Sequence, residues 1–162
     1  MNHLWTPWRS AYMKDKKEKC GCIFCDAAAH PEADERSLVV FRGTLAFVLL
    51  NRYPYTSGHV MIAPYAHVSR LSQTSDDASA EMMHLTRRAE RILEQAYRPD
   101  GLNLGMNLGE AAGAGIEQHI HMHVLPRWKG DANFMTSVGD TRIIPEALAE
   151  TYAKLRDGFA QS

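Results

Sequence analysis

The sequence has little cysteine, and its three cysteines lie in one short segment. Cys20, Cys22 and Cys25 are the only cysteines among the 162 residues. A disulfide framework links distant parts of a chain, so this distribution excludes one. In a reducing compartment, a Cys-x-x-Cys pair is typical of half a metal site or of a redox pair. The remaining ligands of a metal site would have to be histidines.

The sequence also lacks long apolar runs and any strong imbalance of charge. No apolar stretch approaches the roughly 20 residues that span a bilayer. The N-terminus shows no basic region followed by an apolar stretch, so no signal peptide is predicted. The net charge of −1 gives no electrostatic reason to expect nucleic acid or an anionic membrane as a partner. We therefore expect a cytoplasmic protein with neither kind of partner.

Length and composition are those of one globular domain. Apolar residues make up 45% and charged residues 23% of the chain, which is ordinary for a protein with a packed core. No internal repeat or linker divides the sequence. We expect a single domain over residues 1–162, with an irregular N-terminal segment over residues 1–37.

The hydrophobic pattern predicts a sheet of five strands. Five short segments are rich in strand formers: residues 38–41, 45–50, 59–63, 102–106 and 119–125. Most connections between them are short, and Gly43 separates the first two segments as in a hairpin. The pattern indicates an α+β fold on a five-stranded antiparallel sheet.

Two main helices are predicted. Apolar residues recur at three- and four-residue steps from Met82 to Ala96, with Ser75 as a candidate cap. The opposite face of this helix carries arginines, which we expect to form a solvated surface: Arg87, Arg88 and Arg91. A C-terminal helix is predicted over about residues 145–160, with Pro145 in its first turn.

Three histidines alternate with apolar residues in the last predicted strand. Side chains of a strand point to opposite faces in turn, so His119, His121 and His123 share one face. The apolar residues between them can then pack into the core. Packing alone rarely explains three neighbouring imidazoles, because every buried ring nitrogen needs a partner. Two interpretations remain open, a metal-binding triad and a nucleophile flanked by helpers.

A glycine-rich loop leads into this strand. Residues 107–115 contain three glycines and no bulky side chain after Glu110. Such a loop can bring successive backbone N–H groups close to an anion, although glycine also serves ordinary turns. A candidate anion site directly before the histidines favours a phosphate held beside an imidazole.

These motifs resemble those of the histidine triad (HIT) superfamily. Residues 119–125 match its pattern His-φ-His-φ-His-φ-φ, in which φ is apolar, and residues 51–60 look like its upstream motif. Residues 126–135 and the Cys-x-x-Cys segment are similar to the branch that contains bacterial diadenosine tetraphosphate phosphorylases. The resemblance implies the HIT fold, in which two chains form a homodimer with one continuous sheet.

The resemblance also implies roles for the histidines. His121 would be the nucleophile that attacks the α-phosphate, and His123 would hydrogen-bond near the phosphate. His59 would support the site from a neighbouring strand. This chemistry suits imidazole, which is largely neutral at pH 7 and is also a competent leaving group.

The nucleotide-binding residues are expected from the same resemblance. Asn51 matches the position that binds ribose hydroxyls, and Leu49 and Met61 match the adenine pocket, although both would also serve as core. Trp128 is a further candidate. The loop residues expected to hold the phosphate are Asn107, Gly113, Ala114 and Gly115. The stretch of residues 112–118 is one residue longer than in many members and lacks their Gln and Ser/Thr side chains.

A structural zinc site is implied as well. Members with an N-terminal Cys-x-x-Cys bind Zn²⁺ through positions that correspond here to Cys22, Cys25, His67 and His119. Two thiolates and two imidazoles make a closed tetrahedral site. Mg²⁺ is a second candidate cofactor, bound with the polyphosphate substrate. Cys20 has no predicted role.

The predicted function is nucleotidyl transfer at the α-phosphate of an adenine nucleotide. The first expectation is cleavage of diadenosine tetraphosphate, by phosphorolysis or by hydrolysis. Nucleoside phosphoramidate hydrolysis would use the same nucleophile, and a nucleotide-binding interaction module would use the same pocket. A catalytic zinc hydrolase fits poorly, since it leaves the cysteines and the glycine loop unexplained. The expected partners are adenine mono- and dinucleotides and a second copy of the chain.

Overall fold

The fold is an α+β structure built on one five-stranded antiparallel sheet, as predicted. The structure is a computed structural model that describes residues 21–132 and 146–161. The strand order is β1-β2-β3-β5-β4. The strands are β1 (Val39–Arg42), β2 (Ala46–Leu50), β3 (Val60–Pro64), β4 (Gly101–Gly105) and β5 (Met122–Arg127). Neighbouring strands are antiparallel throughout.

Four helices accompany the sheet in the described residues. They are α1 (Ile23–Ala29), α2 (Asp34–Ser37), α3 (Asp76–Tyr97) and α4 (Leu148–Gln161), and single 3₁₀ turns occur at Pro31–Ala33, Leu71–Gln73 and Glu110–Ala112. The two long helices, α3 and α4, are those that the sequence predicts. None of the helices in the described part of the chain is both long and apolar enough to cross a membrane.

Three predicted boundaries need correction or fall outside the structure. The segment over residues 1–37 was expected to be irregular, but its described part from Ile23 to Ser37 is mostly helical. The last strand begins at Met122 rather than His119, because the backbone N–H of Ile120 donates to the carbonyl of Val68 in a loop. Pro145 lies outside the described residues, which resume at 146.

Helix α3 begins and ends where its sequence predicts. The Ser75 hydroxyl accepts a hydrogen bond from the backbone N–H of Ala78, which satisfies one of the free donors of the first turn. The helix stops at Tyr97, and Arg98 follows in the left-handed conformation. One stripe of the helix is buried: Met82, Leu85, Ala89, Ile92 and Leu93.

The main core lies between the sheet and helices α3 and α4. Ile120 and Val124 belong to it and Met122 packs against it, which confirms that the apolar residues that alternate with the histidines face the core. The two helices approach closely at Gly158, where an added Cβ would lie 2.7 Å from a side-chain carbon of Ile92. Any larger residue at position 158 would therefore force the helices apart.

Polar side chains of α3 also connect the elements. The Glu81 carboxylate accepts hydrogen bonds from the backbone N–H groups of the β1–β2 turn, at Thr44, Leu45 and Ala46. The predicted solvated arginine face has one exception. Arg88 lies over the Phe41 ring at 4.1 Å and donates to the carbonyl of Phe159, so it joins α3 to β1 and α4.

The other face of the sheet carries a smaller core and the histidines. Phe24 and Ala27 of α1 pack on Leu49 and Met61, which lie on β2 and β3. Met61 pairs directly with His123 of β5, and directly opposed residues share a face. Helix α1 therefore covers the β2–β3 side of the histidine face, and the site lies beside it.

Candidate active site and metal centre

Four candidate metal ligands converge at the N-terminus of α1. Cys22, Cys25, His67 and His119 each offer one ligand atom, and these atoms lie within 4.8 Å of one another. Cys25 Sγ is 3.1 Å from His67 Nδ1, and Cys22 Sγ is 3.3 Å from His119 Nδ1. Tetrahedral bonds of zinc to sulfur and nitrogen place ligand atoms about 3.3–3.8 Å apart. These four residues can therefore hold a metal ion of that kind.

A hydrogen bond orients the His119 ring for this purpose. His119 is fully buried, and its Nε2 lies 2.8 Å from the carbonyl oxygen of Pro64. A carbonyl oxygen only accepts, so Nε2 carries the ring proton and Nδ1 presents a lone pair to the cysteines. A second partner of this kind commonly fixes the tautomer of a metal-binding histidine.

The two thiols differ in acidity. Burial raises the pKa of Cys22, but the neighbouring His119 and hydrogen bonds from the backbone N–H groups of α1 outweigh that effect, and the pKa falls to about 6. Burial and the neighbouring Cys22 raise the pKa of Cys25. Thiolate is the form that binds metal, and Cys22 reaches it first.

The His121 ring is held in its neutral form with one defined tautomer. Its Nδ1 lies 2.9 Å from the carbonyl oxygen of His119, so Nδ1 carries the proton and Nε2 carries the lone pair. The residue is 6% exposed. Burial lowers the pKa of His121, and the bond to the His119 carbonyl opposes that effect only in part. The ring can therefore attack through Nε2 without first losing a proton.

A second chain of hydrogen bonds sets the tautomer of His123. The backbone N–H of Tyr55 and the side-chain amide of Asn51 both lie against His59 Nδ1, at 3.2 and 3.3 Å. Because His59 Nδ1 accepts, its Nε2 carries the proton and donates to His123 Nδ1 at 2.9 Å. His123 must then carry its own proton on Nε2. Its remaining N–H is thus available to an acceptor beside His121, whose ring centre is 4.7 Å away.

Burial keeps both members of this chain neutral. Burial, with a smaller contribution from the neighbouring imidazoles of His123 and His121, lowers the pKa of His59 to about 3. Burial and the neighbouring His121 lower the pKa of His123 to about 4. At neutral pH each ring therefore has one donor and one acceptor nitrogen, as the hydrogen-bond chain requires.

Two aromatic residues at the site were not among the predicted site residues. The Phe24 ring lies 5.0 Å from His119 and 4.7 Å from His121. The exposed Tyr55 ring lies 4.8 Å from His59 and stacks with His123. Phe24 stands inside the Cys-x-x-Cys motif, and that position was the one available signal.

The glycine loop lies folded on itself. The N–H groups of Gly113 and Ala114 donate to the carbonyls of Glu110 and Gly109, at 2.8 and 3.3 Å. Gly113 has a φ of 86°, a left-handed conformation that favours glycine. The side-chain amide of Asn107 reaches the Gly113 carbonyl at 3.5 Å. In this conformation the loop's own carbonyls occupy two of the N–H groups predicted to meet phosphate.

The other predicted binding residues take different places. Leu49 and Met61 are 3% and 5% exposed, as members of the small core under α1. Asn51 uses its amide on His59, and its oxygen accepts the backbone N–H of Tyr53. Trp128 lies edge-on to Tyr97 of α3, a residue packed against the main core on the other face of the sheet.

Comparison with known proteins settles the family. The family model described as the HIT domain matches residues 32–130. The chain belongs to the HIT family. An "AP-4-A phosphorylase" of Mycobacterium tuberculosis is 41% identical to it, over 99% of this chain and 86% of that protein. A "Bis(5'-adenosyl)-triphosphatase" of Dictyostelium discoideum is 29% identical, over 59% of this chain and 64% of that protein.

Solved HIT structures share the fold. A "ZN-bound histidine triad family protein" of Mycobacterium smegmatis superposes with a TM-score of 0.69 and 27% identity. The match covers 87% of this chain and 94% of that one. The predicted HIT fold is therefore confirmed for the chain.

Proposed function

We propose that this HIT protein transfers a nucleotidyl group through His121. The observation that carries the proposal is the pair of fixed tautomers, in which His121 presents a lone pair on Nε2 beside the N–H of His123. A nucleophile next to a hydrogen-bond donor suits attack on a phosphate whose leaving oxygen gains negative charge.

The tautomers account for each proton of the proposed reaction. His121 Nε2 forms a bond to the α-phosphorus, and the bond from phosphorus to the leaving phosphate oxygen breaks. His121 becomes a cationic imidazolium, which its Nδ1–H bond to the His119 carbonyl stabilises. A deprotonated oxygen of inorganic phosphate, the second acceptor, then attacks phosphorus, the bond from phosphorus to His121 Nε2 breaks, and His121 departs as a neutral ring that keeps its proton on Nδ1. His123 donates a hydrogen bond to the oxygen that leaves or enters.

The proposed substrate is a diadenosine polyphosphate, with diadenosine tetraphosphate as the first choice. Support comes from the 41% identical relative, whose name is "AP-4-A phosphorylase", and from the related triphosphatase. The proposed second acceptor is inorganic phosphate. Mg²⁺ with the substrate stays a prediction, as does a cytoplasmic location.

Product analysis tests the acceptor. With diadenosine tetraphosphate and labelled inorganic phosphate, phosphorolysis yields ATP and labelled ADP. Hydrolysis yields ATP and AMP whether or not phosphate is present. If AMP alone accompanies ATP at millimolar phosphate, the phosphorylase proposal fails and the hydrolase takes its place.

Substitution of His121 tests the nucleophile. His121→Ala should lower turnover by several orders of magnitude, as loss of a covalent nucleophile does, and should leave AMP binding largely intact. A variant that kept a substantial fraction of wild-type turnover would contradict the mechanism. Negligible wild-type turnover on every nucleotide, including adenosine phosphoramidate, would favour an interaction module.

The proposed role of the metal centre is structural zinc. The four-residue centre offers two sulfurs and two nitrogens, a closed set with no position left for water. His119 links this centre to His121, since its ring faces the cysteines and its carbonyl accepts a hydrogen bond from His121 Nδ1. When bound, zinc would fix the fold here and supply no reacting group.

The proposed nucleotide contacts follow the expected positions. Asn51 would meet the ribose. The adenine pocket at Leu49 and Met61 stays a prediction, because both side chains are buried under α1 with Phe24. Asn107 and the backbone of residues 113–115 would hold the phosphate once the loop opens, because in this conformation the N–H groups of Gly113 and Ala114 donate to the loop's own carbonyls. Trp128 stays a prediction, because its contact with Tyr97 gives it no link to the histidines.

The proposed assembly is a homodimer that continues the sheet through β4. β4 is an edge strand with no buried residue, whereas the other edge, β1, packs against α4. An exposed edge has backbone groups free to pair with a second copy, and Leu104 on it is 51% exposed. Light scattering should show monomers for Leu104→Glu but not for Leu71→Glu, which changes an exposed leucine outside β4.

A further inference from the structure

A second group of side chains lies on the histidine face of the sheet, along β4 and β5. Directly opposed residues of an antiparallel pair share a face. Three opposed pairs of β4 and β5 lie on the histidine face: Gly105 with His123, Asn103 with Leu125, and Gly101 with Arg127. A strand rises about 3.3 Å per residue, so Arg127 lies about 13 Å along β5 from His123.

None of the described residues covers the surface between His123 and Arg127, here called the β4–β5 track. A Cβ added to Gly101 or Gly105 would meet no atom within 4 Å. Asn103 between them is exposed. Helix α1 covers the histidine face over β2 and β3, so within residues 21–132 and 146–161 the β4–β5 track is the uncovered side of the site and has room for an extended ligand.

Arg127 is fixed in place at the far end of the track. Its Nε and one terminal nitrogen donate to the Asp131 carboxylate at 2.5 and 2.9 Å, and its other terminal nitrogen donates to Asn103 at 2.6 Å. These bonds use three of the five guanidinium N–H groups. The side chain remains 46% exposed, and a planar, oriented guanidinium is well suited to phosphate.

We propose that Arg127 and Asn103 bind the distal phosphates of the polyphosphate chain that leaves His121. This inference rests on the proposed function. In phosphoryl-type transfer the attacking and leaving atoms lie roughly in line, so the leaving chain extends away from His121. It then meets His123 and, along the open track, the one oriented cation described there. Arg127 thereby selects substrates with several phosphates over mononucleotides.

Binding measurements on a His121→Ala background test this, because that variant does not consume the ligand. The probes are diadenosine tetraphosphate and AMP, followed by calorimetry. Arg127→Ala should weaken binding of the tetraphosphate about tenfold, the value of a charge-assisted hydrogen bond, and change AMP binding less than about twofold. Lys129→Ala removes an exposed positive charge two residues away and should change neither.

Asp131 provides a sharper comparison. Asp131→Asn keeps an acceptor for Arg127 and removes the competing charge, so tetraphosphate binding should improve by up to about fivefold, the value of an exposed ion pair. Adding Arg127→Ala to Asp131→Asn should abolish that gain. This double variant separates loss of the guanidinium from exposure of the carboxylate.

Other results of these binding measurements would contradict the proposed role of Arg127. Equal effects of Arg127→Ala on AMP and on the tetraphosphate, or no effect on either, would overturn the assignment while leaving the proposed function intact. Parallel losses in Arg127→Ala and Asp131→Asn for both ligands would show that the pair only supports its turn. If the His121→Ala protein bound neither nucleotide, the proposed function would fail first, and the inference with it.

Discussion

The hydrogen-bond chain from Tyr55 through His59 to His123 predicts the effect of one buried substitution. His59→Phe keeps an aromatic ring in the site but removes both ring nitrogens. The backbone N–H of Tyr55 then loses its acceptor, and His123 Nδ1 loses its donor. His59 is 1% exposed, so water replaces neither partner readily.

The expected magnitudes follow from those two lost bonds. An unsatisfied buried polar group costs about 1–3 kcal/mol, so two of them should lower the free energy of unfolding by about 2–6 kcal/mol. Without the His59 donor, His123 can move its proton to Nδ1 and present a bare nitrogen to the phosphate. Loss of one donor to a charge that develops in the transition state costs about 10²- to 10³-fold in kcat.

Two measurements check this prediction. Turnover of diadenosine tetraphosphate gives kcat, and long-range ¹H–¹⁵N correlation identifies the protonated nitrogen of His123. The wild type should show Nε2–H, and His59→Phe should show a larger share of Nδ1–H.

His59→Gln is the matched control. Its amide oxygen can accept from Tyr55 and its amide nitrogen can donate to His123, so it should recover most of the lost activity. A wild-type His123 protonated on Nδ1, or a His59→Phe variant with nearly unchanged kcat, would refute the reasoning.

Three further predictions concern stability. Metal analysis should find about one zinc per chain. Cys22→Ser should lower the unfolding temperature but have a smaller effect on the kcat of the protein that remains folded. Metal-free protein of unchanged stability would contradict a structural zinc. His59 should make stability depend on pH, because its pKa of about 3 keeps it neutral in the folded state while the unfolded chain takes up a proton. As the pH falls from about 6.5 to 4, this residue should lower the free energy of unfolding by up to about 1.4 kcal/mol per pH unit. Urea titrations should show a shallower slope for His59→Gln, and equal slopes would argue against the assignment. Glu81→Gln should destabilise by about 1–2 kcal/mol, since the carboxylate receives three backbone N–H groups; Glu94→Gln, at an exposed position of the same helix, should change little, and equal losses would count against the contact.

Local patterns in the sequence determined the main elements of the fold. The apolar period from Met82 to Leu93 is long enough to identify α3, and its cap at Ser75 is a local interaction. Alternation around His121 placed the histidines on one face and Ile120 and Val124 in the core, because side-chain direction in a strand depends only on position. Signals of this kind need no knowledge of distant residues.

Short elements and exact boundaries depended on tertiary contacts. Helix α1 has only seven residues, too few for its own period to identify or stabilise it, and it forms where Phe24 packs on the sheet. The strand after His119 starts late because Ile120 bonds to Val68 from another loop. Neither the sheet surface under Phe24 nor the Val68 carbonyl could be identified as a partner from the local sequence.

The chemistry of the site divides in the same way. Residue types and spacing, together with the family resemblance, pointed to His121 and to the four metal ligands. Cys22 and His119 meet across 97 positions of the chain, and only the folded sheet and α1 bring their ligand atoms within bonding reach of one ion. The tautomers of His121 and His123 likewise depend on a carbonyl and a ring that the tertiary structure supplies. The sequence identified the histidines, and tertiary packing determined which ring nitrogen of His121 and of His123 carries the proton.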